Sequence, residues 1–507
     1  MSTALPVQLN DAEIEEFGRE IGAIYDEVKA DLGERDARYI RRLITIQRAM
    51  ALGGRIVIFA SLACLPRWGH ALATWPLFLG AIGLGTLTLG LAKILENMEI
   101  AHNVLHGQWD WMRDPDIQSS TWEWDSVCPS DQWKHSHNVI HHTWTNVLGK
   151  DRDIGYGMLR MSARQRWSPF YLLQPLSSLL MALLFEWFIA LHDLEINRLL
   201  KGTKDRATAR RQWRAIRQKA ARQVLKDYVL YPALAGPFIL YVLAANVAAN
   251  VVRNVWTYVI IFCGHFPAGV QVFSQEQIAD ETRARWYVRQ LLGSCNIRGG
   301  KLFHVMSGNL SHQIEHHLFP DMPSNRYPEV APRIEAICAR YRLPYNSGSF
   351  TRQFGTTVLK ILRLALPSPR RAAVHWPNHS WGAPHSAPEI VRSSHRVRGS
   401  DEHWRKAREE LDAHNPHSAD RLPALRRRIA FVTRPTPVRL QAIRCRATAC
   451  SSERGCRSSL WLSPSPAVAA TPTALPRVAS SATSASPTRM GCTTRTPRCS
   501  VSATASC

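Results

Sequence analysis

The sequence offers no CxxC pair, which excludes a zinc ribbon and a thioredoxin-type redox motif. Cys64, Cys128, Cys263, Cys295 and Cys338 are scattered through the first two thirds, and the other six cysteines lie between Cys445 and Cys507. The early five have no framework spacing, which fits a reducing compartment. The start, MSTALPVQLNDAEIEEFGRE, lacks a basic stretch followed by an apolar core, so no signal peptide is expected. Acidic residues are short overall: 40 Asp/Glu against 63 Lys/Arg give a formal net charge of +23. That balance would suit nucleic acid, but its distribution argues against such a partner. From Pro367 onward there are 22 Lys/Arg and 8 Asp/Glu, and the first 366 residues carry only +9. The excess sits in a biased tail and in segments flanking apolar runs, not on a packed basic face.

Long apolar runs are what the chain does have. Residues 1–50 read as a soluble, cytoplasmic helical segment that ends in Arg35, Arg38, Arg41, Arg42 and Arg48. GGRIVIFASLACL and ALATWPLFLGAIGLGTLTLGLAKIL follow, separated by PRWGH. Together they predict a transmembrane hairpin with both ends in the cytoplasm, since basic residues precede the first span. A second apolar region, 169–191, is followed by eleven Lys/Arg and one acidic residue between Arg198 and Lys226, then by an apolar stretch over 228–264. Either 169–191 spans and 228–264 is one long helix, or 169–191 lies along the interface and 228–264 folds as a second hairpin with legs of about 17 residues. The charge bias favours the second arrangement. The basic segment itself would meet anionic lipid headgroups or the phosphates of a substrate. The fold class expected is therefore all-α integral membrane, with about four spans in two hairpins below a cytoplasmic helical cap. Residues 51–366 form the membrane domain, and 367–507, rich in Ser, Thr, Ala, Pro and Arg without an apolar period, reads as a disordered tail. An out-of-frame reading of a G+C-rich gene would produce such a stretch.

Thirteen of the 20 histidines lie in the first 366 residues, and nine of them fall in four places. EIAHNVLH places His102 and His106 one helical turn apart, on one face. HNVIHH (His137, His141, His142) and HQIEHH (His312, His316, His317) repeat the form H-x3-H-H, and His265 follows the last apolar run. On an α-helix the first two histidines of each box share a face and the third points about 100° away. Each box would then give two rings to one metal and a third to a neighbouring one. Nine imidazoles exceed what one tetrahedral ion uses, so two nitrogen-ligated metals are expected, iron, zinc or copper and not magnesium or calcium. The parity of the spans puts all four places on the cytoplasmic face, where a two-metal centre points to redox chemistry on a lipid-derived substrate. A histidine-rich transporter would instead carry them at mid-membrane.

These boxes, with QIEHHLFP, ENMEIAHNVLHGQWDWM, TWEWD and NVWTYVIIFCGHFP, resemble the membrane fatty acid desaturases, most closely actinobacterial acyl-CoA desaturases of the stearoyl-CoA Δ9 type. The resemblance covers residues 10–366. It implies an integral cytoplasmic-membrane enzyme whose two Fe ions activate O2 and place a cis double bond in a long-chain acyl-CoA, with the site facing the cytoplasm. The ligands it implies are His102, His106, His137, His141, His142, His265, His316 and His317, with either His312 or Gln313 completing the set and His312 preferred. QIEHH is shared with Δ6-type front-end desaturases, and alkane or acyl hydroxylases use the same boxes, so both remain alternatives. No HPGG haem motif is present, which implies a separate electron donor, an NADPH-dependent flavin or iron–sulfur reductase or a ferredoxin-like protein. Asn254, Asn309 and Gln313 are candidates for water-mediated or supporting contacts to the ligands. Trp109, Trp111, Trp122 and Trp124 either line the acyl channel or form an interfacial belt.

Overall fold

Asn10 starts the first helix with a reciprocal cap. Its side chain accepts from the Glu13 N–H at 2.9 Å, and its own N–H donates to the Glu13 carboxylate at 2.8 Å. From there α1 (Asp11–Ala30) buries Ile14, Phe17, Ile21, Ile24 and Val28 at helical spacing. The structure is a computed structural model and describes residues 5–65 and 71–367. The expected PRWGH turn and the tail from Ser368 lie outside the described residues.

α2 (Glu34–Ser61) runs straight through residue 50, where the sequence suggested a boundary. It pairs with α3 (Ala71–Ile94), and glycines set their closeness. A Cβ on Gly54 would lie 2.8 Å from the Leu89 nitrogen, and one on Gly85 would lie 2.8 Å from the Ile58 nitrogen. Small residues at such a crossing let two backbones touch inside a bilayer. α3 then passes through a π-helical turn, Leu95–Ala101, into α4 (His102–Leu105).

A second π turn, His135–His141, joins α5 (Ser130–Lys134) to α6 (His142–Trp144). Next come α7 (Gln174–Leu183), α8 (Phe185–His192), α9 (Ile196–Leu200) and the basic α10 (Arg206–Val224). α10 continues through a third π turn, Leu225–Leu230, into α11 (Tyr231–Ala233), and then comes α12 (Ile239–His265). The rest is a cap: α13 (Arg283–Leu292), β1 (Asn296–Arg298), α14 (Lys301–Met306), α15 (Gln313–Leu318), α16 (Tyr327–Arg340), β2 (Ser347–Ser349) and α17 (Phe350–Ala365). β1 and β2 pair in parallel, Asn296 opposite Ser347.

Among the described residues three helices are long and apolar enough to cross a membrane: Glu34–Cys64, Thr74–Leu105 and Gly236–His265. The bent pair Pro169–Leu183 and Phe185–Leu200 makes a fourth if counted as one span. The protein is thus mainly helical and membrane-integral. Its second half departs from both arrangements expected. The helix through 169–191 breaks at Leu184 with a bend of 101°, and Asn254 Nδ2 donates to the Leu183 carbonyl at 2.9 Å. The stretch 228–264 does turn back, but about ten residues earlier than equal legs require. Gly236 (φ 56°) and Pro237 set that turn, and proline then opens the next helix. One leg is short and the other is a full span.

Charges tie these helices together. Lys93 Nζ lies 2.9 Å from both Asp125 and Asp227, and Arg55 reaches Asp227 at 3.4 Å. Asn246 donates to the Asp227 carbonyl at 2.7 Å. Arg253 donates to the Asp125 carbonyl at 2.9 Å and contacts Glu186 at 2.5 Å. Above them α1 closes the cap, packing its apolar stripe on Tyr287, Leu291, Val330 and Ile334 of α13 and α16. Arg333–Glu27 at 2.6 Å holds it there, and the buried Arg326–Asp36 pair at 2.7 Å fixes the start of α2 beside it.

Candidate metal centre

The histidines come from four short pieces of helix and the end of the long α12, which meet at one place. His102 opens α4 and His106 follows it, with ring centroids 4.6 Å apart. His137 and His141 lie in the second π turn, His142 begins α6, His265 ends α12, and His316 and His317 lie on α15. Their nitrogens gather into two main groups. His102, His106, His137 and His316 form the first, and His141, His265 and His317 form the second. His142, His316 and His317 form a third set that joins the two.

This pairing differs from the one expected for α-helical boxes. His137 and His141, expected to share a metal, fall in different groups of imidazoles alone and come together only in the set with Asp153. The i→i+5 bonding of a π turn rotates the next turn relative to an α-helix, so the two rings stack at 5.1 Å while facing different centres.

A supporting atom holds the Nδ1 of most rings. Asn103 Oδ1 lies 3.1 Å from His102, Asp151 Oδ1 3.1 Å from His141, and Gln290 Oε1 3.0 Å from His317. Tyr327 OH lies 3.3 Å from His316, and Asp153 Oδ2 lies 3.6 Å from His137. The Nε2 atoms of His106, His137, His141, His142 and His316 are buried without a hydrogen-bond partner. Each such nitrogen costs about 1–3 kcal/mol if left unmet, and a bound cation meets it. The donor set therefore fits nitrogen-ligated metal ions. Burial, then the neighbouring imidazoles, pushes His106, His142, His316 and His317 well below the ordinary histidine range, so they stand neutral and ready to ligate. At His141 burial is outweighed by Asp151 and Asp153, and its pKa is raised. Sequence reasoning missed Asn103, Asp151, Asp153, Gln290 and Tyr327. The acidic pair in KDRD, nine residues past the second box, was the available signal, since ligating histidines usually donate their other nitrogen to a carboxylate.

The remaining expected residues divide sharply. His312 lies in none of the metal-ligand sets among the described residues. It is the N-cap of α15, at φ −99° and ψ 56°, so the helical spacing to His316 does not place the two on one face. Its ring stands 4.6 Å from that of His304, and burial takes its pKa down to about 3. Gln313 instead points inward, with Nε2 3.0 Å from His265 Nε2. Asn309 donates to the Glu99 carboxylate at 3.0 and 3.1 Å, away from the rings. Asn254 serves the broken helix at Leu183 and accepts from Arg253 at 3.2 Å.

A pocket lies beside both main groups, touching His102, His137, His265 and Gln313. Of the four tryptophans singled out, Trp124 alone lines it, and Trp133, which was not singled out, joins it. Trp109 is neither channel nor belt. It is fully buried against Ile40 and Val104 and stacks on Tyr39 at 6.3 Å. Trp122 packs beside that cluster, and Trp111 is half-buried outside the pocket.

Comparison with known proteins agrees with this geometry. The family model described as fatty acid desaturase matches residues 73–349. The chain is 49% identical over 363 residues to an NADPH-dependent stearoyl-CoA 9-desaturase of Mycobacterium tuberculosis, covering 71% of this chain and 82% of that protein. It is 32% identical over 139 residues to fatty acid desaturase 3 of Bos taurus, covering 27% of this chain and 28% of that protein. It is 25% identical over 275 residues to an sn-1 linoleoyl-lipid 6-desaturase of Synechocystis, covering 52% of this chain and 74% of that protein.

Proposed function

The chain belongs to the fatty acid desaturase family, and from that premise we propose that it is an O2-dependent acyl-CoA desaturase that places a cis Δ9 double bond in stearoyl or palmitoyl chains. The observation that carries this reading is the pair of buried imidazole groups, with unpartnered nitrogens, opening on one elongated pocket. The balance is one saturated acyl chain, O2, two electrons and two protons giving one double bond and two waters. Two irons would supply the O2 activation. His102, His106, His137 and His316 would hold one, His141, His265 and His317 the other, and His142 would stand between them. Gln313, rather than His312, faces the second group.

The chain's own residues set the rest. Asp151, Asp153, Gln290 and Tyr327 fix ring orientation, and buried surroundings keep most ligands neutral. The lining by Trp124, Trp133, Phe185, Ile189 and Ile261 suits an alkyl chain and sheds water. The high identity to a 9-desaturase over most of that protein favours Δ9 over Δ6, whose relative matches at 25%. Electrons would come from a separate protein, in keeping with "NADPH-dependent" in that relative's name. The site faces the cytoplasm in an inner membrane, the arginines in the first half of α2 and those of α10 lying on that side.

The test is gas chromatography–mass spectrometry of derivatised lipids from cells expressing the full chain with a flavin or iron–sulfur reductase, beside a His316→Ala control. A Δ9 double bond absent from the control is expected. A new hydroxyl group in its place would move the chain to the hydroxylases, and bound iron without any product would reject the donor or substrate assigned.

A further inference from the structure

α12 carries Arg253, Thr257, Ile261 and His265 four residues apart, so all four lie on one face along roughly 18 Å of helix. All four line the pocket. His265 stands at the metal groups and Arg253 lies about three helical turns before it on α12. Between them the walls include Met98, Phe185 and Ile261. α8 brings Glu186 to 2.5 Å from Arg253, and both side chains are buried, at 4% and 2% exposure. Nothing behind them yields easily. Arg253 also donates to the Asp125 carbonyl, Asp125 pairs with Lys93, and Lys93 pairs with Asp227. On the other side the pocket reaches the half-buried Tyr156, Ile189 and His192.

We infer that the Glu186–Arg253 ion pair is the closed end of the acyl pocket and determines the longest chain that the enzyme accepts. The inference rests on the desaturase reading above and adds a specificity-determining wall to it. An alkyl terminus has no interaction to offer in exchange for parting the pair, because separation would leave two buried charges uncompensated. Bonds from Arg253 to the Asp125 carbonyl and Asn254 fix the pair in place, so a methyl group can abut it but not part it.

Three variants test the wall, each in membranes of cells carrying the full chain and a reductase. Saturated acyl-CoAs of increasing length are offered in competition, and the product lengths are read by mass spectrometry. Arg253→Lys keeps the charge and removes bulk; its share of products longer than the wild-type maximum should rise at least twofold. The joint Glu186→Ala and Arg253→Ala variant removes both charges together and should extend the maximum by two carbons or more. Ile261→Phe fills the pocket on the metal side of the pair without touching it, and should shorten the preferred chain by two carbons or more. Variants that insert in wild-type amounts and desaturate with an unchanged length profile overturn the wall. A wild type that desaturates nothing overturns the acyl-pocket reading beneath it, a separate failure seen before any variant is compared.

Discussion

His102, His106, His137 and His316 surround one point with four imidazoles, whereas His141, His265 and His317 surround the other with three and bring up the Gln313 amide. The supports differ as well. Neutral groups, Asn103 and Tyr327, hold two rings of the first set, while a carboxylate, Asp151, bonds His141 in the second at 3.1 and 3.2 Å. A shell of four imidazoles would hold an ion firmly and leave little room for anything else. A three-imidazole shell leaves a coordination position open, as catalytic metal sites do. The carboxylate behind it makes its ligand a stronger donor. The contrast teaches that, with metal bound, the two halves of the centre would carry unequal duties, one anchoring and one accessible.

Removing the shared ligand breaks the comparison outright. His316 stands in the first group and in the joining set, so His316→Ala should take desaturation to background and cut bound metal from two ions per chain to one or none, read by elemental analysis. Asp151→Asn strikes the second group alone. Its metal affinity should fall about 10–100-fold while the first group keeps its ion, which chelator titration resolves into two phases. Equal loss from both groups would contradict the asymmetry.

Gln313→Ala and His312→Ala sharpen the same point. The first should lower turnover roughly tenfold, and the second should leave it within about twofold of wild type. The reverse order would return His312 to the metal shell.

Acidification separates the groups by sign. His141 has a raised pKa, so it takes a proton at higher pH than His106 or His316, which burial holds low. As pH falls from about 8 to 5, the second group should release its metal first and the first group later. In metal-free protein, the depressed imidazoles favour the fold above the unfolded histidine pKa of about 6.5, and that advantage is lost as pH drops below it. The raised His141 acts oppositely, stabilising below about 6.5 and ceasing to do so as pH climbs through its folded pKa. Since the depressed groups outnumber it, melting temperature should fall on acidification. The smallest effect is Tyr327→Phe: about 1 kcal/mol of stability and a slight loosening of the first ion, since one hydrogen bond to His316 disappears.

The sequence carried much of this, unevenly. Apolar runs and flanking basic residues announced the α2–α3 hairpin because those signals are local. Histidine spacing named the rings that converge, but not that a π turn would bring His137 and His141 together only with Asp153. A π turn has no composition of its own, and the box reads the same in either helix. His312 misled for a related reason: four residues imply a shared face only when a helix already exists at the first of them, and α15 begins one residue later. Trp109 looked interfacial because its burial depends on Ile40 and Val104, which meet it only in the folded chain. The Gly236-Pro237 turn was legible as chemistry, but equal span lengths were given more weight than the dipeptide.

The charges linking Lys93, Arg55 and Arg253 to Asp227, Asp125 and Glu186 bear on how the protein is made. Lys93 leaves the ribosome 134 residues before Asp227 does. Until then Lys93 has only Asp125, made 32 residues after it, and Arg55 has met no carboxylate, an expensive condition inside lipid. Its helices must therefore wait at the insertion machinery or the headgroup layer until α10 and α12 arrive. Biogenesis becomes cooperative, and a chain interrupted before Asp227 should be extracted by quality control rather than persist as a half-built hairpin.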